Sequence, residues 1–445
     1  MEIARALDPR GWLLGGARGK EAVWVAWQRA SPGIVSFTVV LVDGIAGGGY
    51  FPRAWRLTSF ALLAFVLAAL VGRRQIALGR IERWFLGLVA ALTAWTAAST
   101  IWSDTSGTSI LEGERDVVYL AAVAALLLGL ERESLPVLLG GALGGITAVA
   151  GYGLGTYVLF DHPLNPIEGK LLFEPLGYAN GLGIYAAIGI LLAVGLALAV
   201  RPPLLRLACL APLAILVPSL YLTDSRAAEL SVAVGLVVLA RFSRRLSRVL
   251  TSAFAVAAAG AVAAVTVVSV HQEHNLAGRL LGANRPHYWH VAWREVTLNP
   301  VLGSGAGTFE RYWLLYRPVG SFARDAHNLY LETLAELGPV GLVLLLAALG
   351  LPLLVLRGRR DPVLATAAAG YVAYLVHAAV DWDWELPAVT LCGLLCGCSL
   401  LVATRRSDAP EVRLSLRLLL LVSALGLAVL ALIRLEAGPH LPFAS

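Results

Sequence analysis

One apolar stretch opens on residues able to do chemistry: DAHNLYLETLAELGPVGLVLLL, residues 325–346, carries Asp325, His327 and Asn328 at its mouth and Glu332 and Glu336 farther in. Histidine takes up and releases a proton near neutral pH, so His327 is a candidate general base. Its place just ahead of a helix suits the role, because a helix N-terminus favours an adjacent anion and disfavours a protonated imidazole. Asp325 is a candidate to orient the ring or, equally, to cap the helix. The plainer reading of His327 is a capping or interfacial histidine.

Two arginines offer complementary chemistry. Arg226, in TDSRAAEL (223–230), stands at the mouth of an apolar stretch, where a guanidinium is costly unless it meets a cavity, a carboxylate or the interface. Arg285 lies in an aromatic-rich loop, with Arg279 six residues earlier. A guanidinium is always charged and grips two phosphate oxygens at once, so Arg226 and Arg285, with Arg279 as a further candidate, suit a diphosphate. The turn DWDWE (381–385) sets Asp381 and Asp383 around Trp382. Tryptophan beside acids suits sugar faces and hydroxyls. The same residues also read as an interfacial aromatic belt, or as an Asp-x-Asp pair for a divalent ion.

The elements that must position these groups are membrane helices. The chain has 445 residues, 58% hydrophobic and only 14% charged, which leaves too little polar surface for a soluble enzyme. Apolar windows of about 20 residues recur instead. They predict spans near 33–51, 54–72, 84–102, 116–131, 135–160, 176–200, 204–222, 226–241, 249–270, 329–356, 362–380, 385–404 and 414–433. The fold class is therefore an all-α polytopic membrane protein of twelve or thirteen spans. The first span is weakened by Asp43 and the GIAGGGY run.

One membrane domain is expected, made of helices in 1–270, a long loop at 271–326 and helices in 327–445. Within the loop, 286–298 can form an amphipathic helix with Trp289 and Trp293 on one face, lying against the outer membrane surface. Pro300, Gly303, Gly305 and Gly307 break the chain after it.

Arginines gather in alternate loops, around 73–83, 201–206, 241–248, 357–360 and 405–413, which the positive-inside rule makes cytoplasmic. The other loops, which hold every candidate above, then face outward. The net charge of +6 thus serves orientation, and no nucleic-acid partner is expected. Cys209, Cys392, Cys396 and Cys398 fall inside apolar stretches and read as packing residues, not as a disulfide or zinc framework. The N-terminus lacks a signal-peptide pattern, and Trp24, Trp27 and Arg29 suggest an interfacial segment. The abundance of arginine over lysine suits a GC-rich bacterial genome.

From about residue 95 to 400 the chain resembles the O-antigen ligases, O-antigen polymerases and bacterial protein O-oligosaccharyltransferases. His327, Asn328, Gly338 and Gly341 match that superfamily's signature of His, then Asn, Ser or Gln, then nine residues, Gly, two residues and Gly. Arg226 with Leu230 is similar to its Arg-x-x-x-Leu motif. Arg285 and Trp289, followed by NPVLGSGAGTF, are similar to its Arg-x-x-x-Trp and Pro-x-x-Gly-x-Gly stretch. Weaker echoes surround Arg115, Asn180 and the run from His377 to Asp383.

The resemblance implies a GT-C-type membrane glycosyltransferase with a periplasmic loop roofing its cavity. Its reaction would be inverting and metal-independent, without a cofactor, in the bacterial cytoplasmic membrane with the site facing the periplasm. The implied donor is a glycan on undecaprenyl diphosphate, and the acceptor a glycan or lipid-linked oligosaccharide. His327 would then be the base, with Arg226, Arg285 and Arg279 on the diphosphate. Asp325, Asn328, Asp381, Asp383, Trp382 and Asn180 would bind the acceptor or support the site. A further diphosphate cation is expected, with Lys170, Arg279 and Arg115 as candidates. A lipid-linked glycan transporter is the reading from another class, but no half-repeat is visible.

Overall fold

A computed structural model describes residues 17–73, 75–160, 165, 168–243, 284–406 and 408–436. In chain order its α-helices are α1 (Ala17–Ile45), α2 (Pro52–Gly72), α3 (Arg80–Ala98), α4 (Ser106–Gly129) and α5 (Leu135–Leu159). There follow α6 (Ala179–Ala199), α7 (Pro203–Leu210), α8 (Leu213–Leu222), α9 (Arg226–Phe242), α10 (Arg285–Leu298) and α11 (Phe309–Tyr316). The last four are α12 (Leu329–Leu354), α13 (Pro362–His377), α14 (Pro387–Ala403) and α15 (Leu414–Glu436). The expected span at 249–270 and Arg279 lie outside the described residues.

Seven helical segments among the described residues are long and apolar enough to cross a membrane: α2, α3, α5, α6, the α7–α8 pair, α12 and α15. The end of α1, α13 and α14 are apolar but shorter. This makes a polytopic membrane protein, in which the described residues hold fewer full-length spans than their apolar windows suggest. Two further helices stop short for different reasons: α4 carries four charges close together, Glu112, Glu114, Arg115 and Asp116, and α9 is only 17 residues long. The doubtful first span is helical to Ile45, and buried Asp43 accepts a 2.5 Å hydrogen bond from Thr58.

Two helices apolar all round, α6 and α14, are buried along most of their length, as such helices must be. They pack against one another, and α13 packs on both. The cysteines Cys392, Cys396 and Cys398 fill this core. Elsewhere small residues let helices approach: a Cβ at Gly141 of α5 would lie 2.0 Å from the Gly33 carbonyl of α1. Beside it, Ser36 Oγ donates to the Leu138 carbonyl at 2.7 Å.

Charges sort to the two ends. At one end, Arg405 holds Glu82 at 2.8 Å and donates to the Leu127 and Leu130 carbonyls at the end of α4, while Arg417 donates to the Leu70 carbonyl of α2 at 2.7 Å. These guanidiniums satisfy helix C-terminal carbonyls and meet the negative end of the dipole. At the other end lie the starts of α6, α9 and α12, the DWDWE turn and the packed loop that carries α10 and α11.

That loop is anchored through a break in α12. Gly338 has φ 67°, and its amide region is met by the glycine-rich turn: Ser304 N donates to Ala335 O (3.1 Å) and Gly305 N to Glu336 O (2.8 Å). Glu336 completes the joint, its carboxylate accepting from Gly307 N (2.8 Å) and Phe309 N (2.9 Å). The chain breaks expected at Gly303, Gly305 and Gly307 are present, all with left-handed φ. The helix expected at 286–298 also forms, with the face other than that of Trp293 turned inward. Tyr288, Val291, Ala292 and Glu295 are buried while Trp293 is 57% exposed, because Tyr288, Val291 and Ala292 pack with Phe309 and Trp313 of α11.

Candidate functional site

His327 sits between the loop and α12 in a backbone conformation that side chains rarely adopt, φ 56°. Asp224, two residues before Arg226, is the other non-glycine residue with positive φ among the described residues. Each therefore reverses the chain just ahead of a helix that begins with or follows a candidate residue. Asn328 caps α12, its Oδ1 accepting from Tyr330 N (3.1 Å) and Leu331 N (3.0 Å). Asp325 is thus not the cap.

The left-handed turn returns the imidazole to the chain, where Nδ1 lies 3.0 Å from the Asp325 carbonyl oxygen. A carbonyl only accepts, so Nδ1 carries the hydrogen and Nε2 keeps its lone pair. Orientation comes from the Asp325 backbone, not from its carboxylate. Tyr288 of α10 stacks on the ring at 4.8 Å between centroids, and Trp382 meets it edge-on at 6.5 Å. Burial lowers the imidazole pKa, with Arg285 pushing the same way against the Asp381 carboxylate.

Asp381 is fully buried and ion-pairs with Arg285. Its other oxygen accepts from Tyr178 OH (2.6 Å) and from Trp382 N (2.8 Å). Asn180 Nδ2 donates to that same Tyr178 hydroxyl at 2.9 Å, so Asn180, Tyr178, Asp381 and Arg285 form one chain of contacts from α6 to α10. Burial alone would raise the Asp381 pKa, but Arg285, His377 and His327 outweigh it and hold the carboxyl below its ordinary value. Asp383 turns the other way, to His377 Nδ1 at 2.9 Å, both side chains fully buried. The two carboxylates of the turn therefore serve different partners, and no cluster of metal-ligating side chains is found among the described residues. Trp382 stacks on Tyr178 at 4.5 Å and remains half-buried.

Arg226 is the exposed first residue of α9, at the same end of the bundle as Asn180. The two helix starts meet closely, since a Cβ at Gly183 of α6 would lie 2.8 Å from that of Ser225. Arg115 is buried and ion-pairs with Glu385 and Glu112. Lys170 has its backbone carbonyl bonded to Tyr157 OH at 2.9 Å.

Behind Asp325 lies a cavity of about 160 Å³. Glu112, Arg115, Arg324, Asp325, Glu332 and Glu385 line it, whereas His327, Arg226 and Arg285 are not on its wall. Burial pushes the Asp325 carboxyl up to about 7, opposed by Arg324 and reinforced by Glu112. Sequence reasoning missed Arg324, which donates to Tyr50 OH at 2.9 Å, and Tyr178 and Tyr288. It also missed Glu295, which accepts from Ser304 (2.6 Å) and Thr308 (3.0 Å) to tie α10 to the glycine turn. Only Tyr178 had a signal, as neighbour of the Asn180 motif; the others read as ordinary loop residues.

Fold and site together define a polytopic helical membrane protein with an imidazole, guanidiniums and aromatic faces at one end of the bundle. Residues 211–346 match the family model described as O-antigen ligase, and the match supports membership of the O-antigen ligase family. It takes in Arg226, Arg285 and His327 and supports a function of the ligase or polymerase type, that of membrane glycosyltransferase-like enzymes. No curated protein matches the chain significantly.

Proposed function

We propose that the chain is an inverting, metal-independent glycosyltransferase of the O-antigen ligase type. It moves a glycan from undecaprenyl diphosphate to an acceptor hydroxyl at the outer face of the bacterial cytoplasmic membrane. The observation that carries the reading is the His327 imidazole, locked by the Asp325 carbonyl with Nε2 left basic, one aromatic layer from the Arg285–Asp381 pair.

The acceptor hydroxyl gives its proton to Nε2 as its oxygen attacks the anomeric carbon. The bond to the diphosphate breaks on the opposite face, and the diphosphate leaves with the bonding electrons. Proton removal of this kind contributes roughly 10²–10⁴ in rate. The new imidazolium is held by the Asp325 carbonyl and by the Asp381 charge. Arg285, fixed by Asp381, and Arg226 meet the charge that grows on the departing diphosphate, stabilising the transition state more than the bound donor. Trp382 and the aromatic residues around it offer sugar-stacking faces. Asn180, Tyr178 and Asp383 support the site from behind, and Arg279 joins the cationic set as a proposal from sequence.

The test uses purified full chain, a fluorescent undecaprenyl-diphosphate oligosaccharide and a lipid-linked acceptor. His327→Ala is expected to abolish transfer at normal expression, and Arg226→Lys and Arg285→Lys to lose most of it, since a point charge cannot copy a bidentate fork. Transfer should resist EDTA. Turnover by His327→Ala sinks the base assignment, whereas a ladder of lengthened donor glycans makes the protein a polymerase.

A further inference from the structure

A second cavity, of about 450 Å³, lies between α2, α3, α4 and α15. Ala90, Ala94, Gly113, Val117, Leu427 and Leu430 give it small or aliphatic walls. It is not part of the proposed active site. On α3, Thr93, Ala94 and Ala97 face it while Phe85, Val89, Leu92 and Thr96 face the cavity behind Asp325. On α4 the division repeats, with Gly113, Glu114 and Val117 on one side and Glu112, Arg115 and Asp116 on the other. The α3–α4 pair is therefore a wall between the two spaces, and neither cavity has His327 on its lining.

One end of this groove is ionic. Glu114 accepts from Arg56 Nε (3.1 Å) and Nη2 (2.7 Å) through one oxygen and from Arg434 Nε (2.9 Å) through the other. Arg56 also donates to the Arg434 carbonyl at 3.2 Å, and its guanidinium lies 5.1 Å from the centre of the Trp55 ring. Two guanidiniums share one carboxylate, which leaves a net positive charge at the end of an apolar slot. The Arg434 side chain is 43% exposed. Arg56 is the fifth residue of α2 and Arg434 belongs to the last turn of α15, so the charge lies at the bundle end that carries His327. The neighbouring outer surface of α15 is aliphatic, with Leu425, Val429, Leu430 and Ile433 between 45 and 57% exposed.

A long apolar slot ending in an excess cation at interface depth is complementary to an anion with a hydrocarbon tail. We propose that this groove binds an anionic phospholipid of the bilayer, one acyl chain between α3, α4 and α15 and the phosphate on Arg434 and Arg56. The site holds a lipid that is neither donor nor acceptor, because none of His327, Arg226 and Arg285 lines the groove.

Native mass spectrometry of the delipidated full chain, titrated with phosphatidylglycerol or phosphatidylethanolamine of identical acyl chains, tests this. Wild type should bind one phosphatidylglycerol about fivefold more tightly than phosphatidylethanolamine, the worth of one basic group near a membrane surface. Arg434→Gln should erase that preference and Arg434→Lys should keep it, which separates charge from folding. Ala94→Leu, which fills the slot, should weaken both lipids. Equal binding of the two lipids by wild type, a preference surviving in Arg434→Gln, or unchanged binding in Ala94→Leu overturns the proposal. So does displacement of phosphatidylglycerol by equimolar undecaprenyl phosphate, which would make the groove a polyprenyl site.

Discussion

At the scale of single residues, the candidate base is defined as much by backbone as by side chain. A left-handed φ of 56° in a histidine costs about 1–2 kcal/mol, and the surrounding contacts hold it there. What the turn provides is the Nδ1–H contact to the Asp325 carbonyl, which fixes the tautomer. Burial and Arg285 lower the imidazole pKa from its ordinary 6.5, so the neutral, basic form already dominates at pH 7. Since the base works deprotonated, kcat/KM should rise with pH through the lowered value and level off above it. A pH profile of transfer is therefore expected to show its acid limb below pH 6.5. In Asp381→Asn, which removes the carboxylate that raises the imidazole pKa, the limb should move lower still. A limb that shifts upward in this variant would remove Asp381 from the electrostatics of His327.

At the scale of elements, the decisive joint is between the glycine turn and the break in α12. A Cβ at Gly338 would lie 2.7 Å from the Val301 carbonyl, and one at Gly303 would lie 2.3 Å from the Glu336 carbonyl. Neither position has room, and both have left-handed φ. The joint places α10, hence Arg285 and Tyr288, over His327. Gly338→Ala is therefore expected to cost about 1–3 kcal/mol in strain and to lower transfer beyond its effect on stability. Thermal unfolding and turnover of the same preparation check both. Full turnover with an unchanged melting temperature would mean that the joint does not position the site.

For the whole molecule, the sorting of charge predicts sidedness. Arg405 and Arg417 cap helix ends at one face, and the proposed chemistry occupies the other. In a Cys209→Ala background, where the remaining cysteines are buried, Gly320→Cys should react with a membrane-impermeant maleimide in intact spheroplasts. Arg406→Cys, whose parent side chain is 82% exposed, should react only after permeabilisation. Reversed labelling would put the site on the cytoplasmic side and end the periplasmic proposal.

The membrane class, the helices at most predicted spans and the Pro300–Gly307 break were legible in the sequence, which also supplied Arg226, Arg285 and His327 as candidates. Each rests on local information: apolar windows set helices, and glycine and proline set breaks. Tertiary structure alone decided how these residues are used. Trp289 and Trp293 share a helical face by spacing, yet α10 turns Tyr288 and Glu295 inward because its partners are α11 and the glycine turn. Asp381 and Asp383 stand two residues apart, yet one holds Arg285 and the other His377, because a tight buried turn sends them apart. Arg115, a candidate cation by sequence, is taken by Glu385, 270 positions away. Partner choice over such distances depends on which helix ends meet, and one-dimensional spacing does not carry that information.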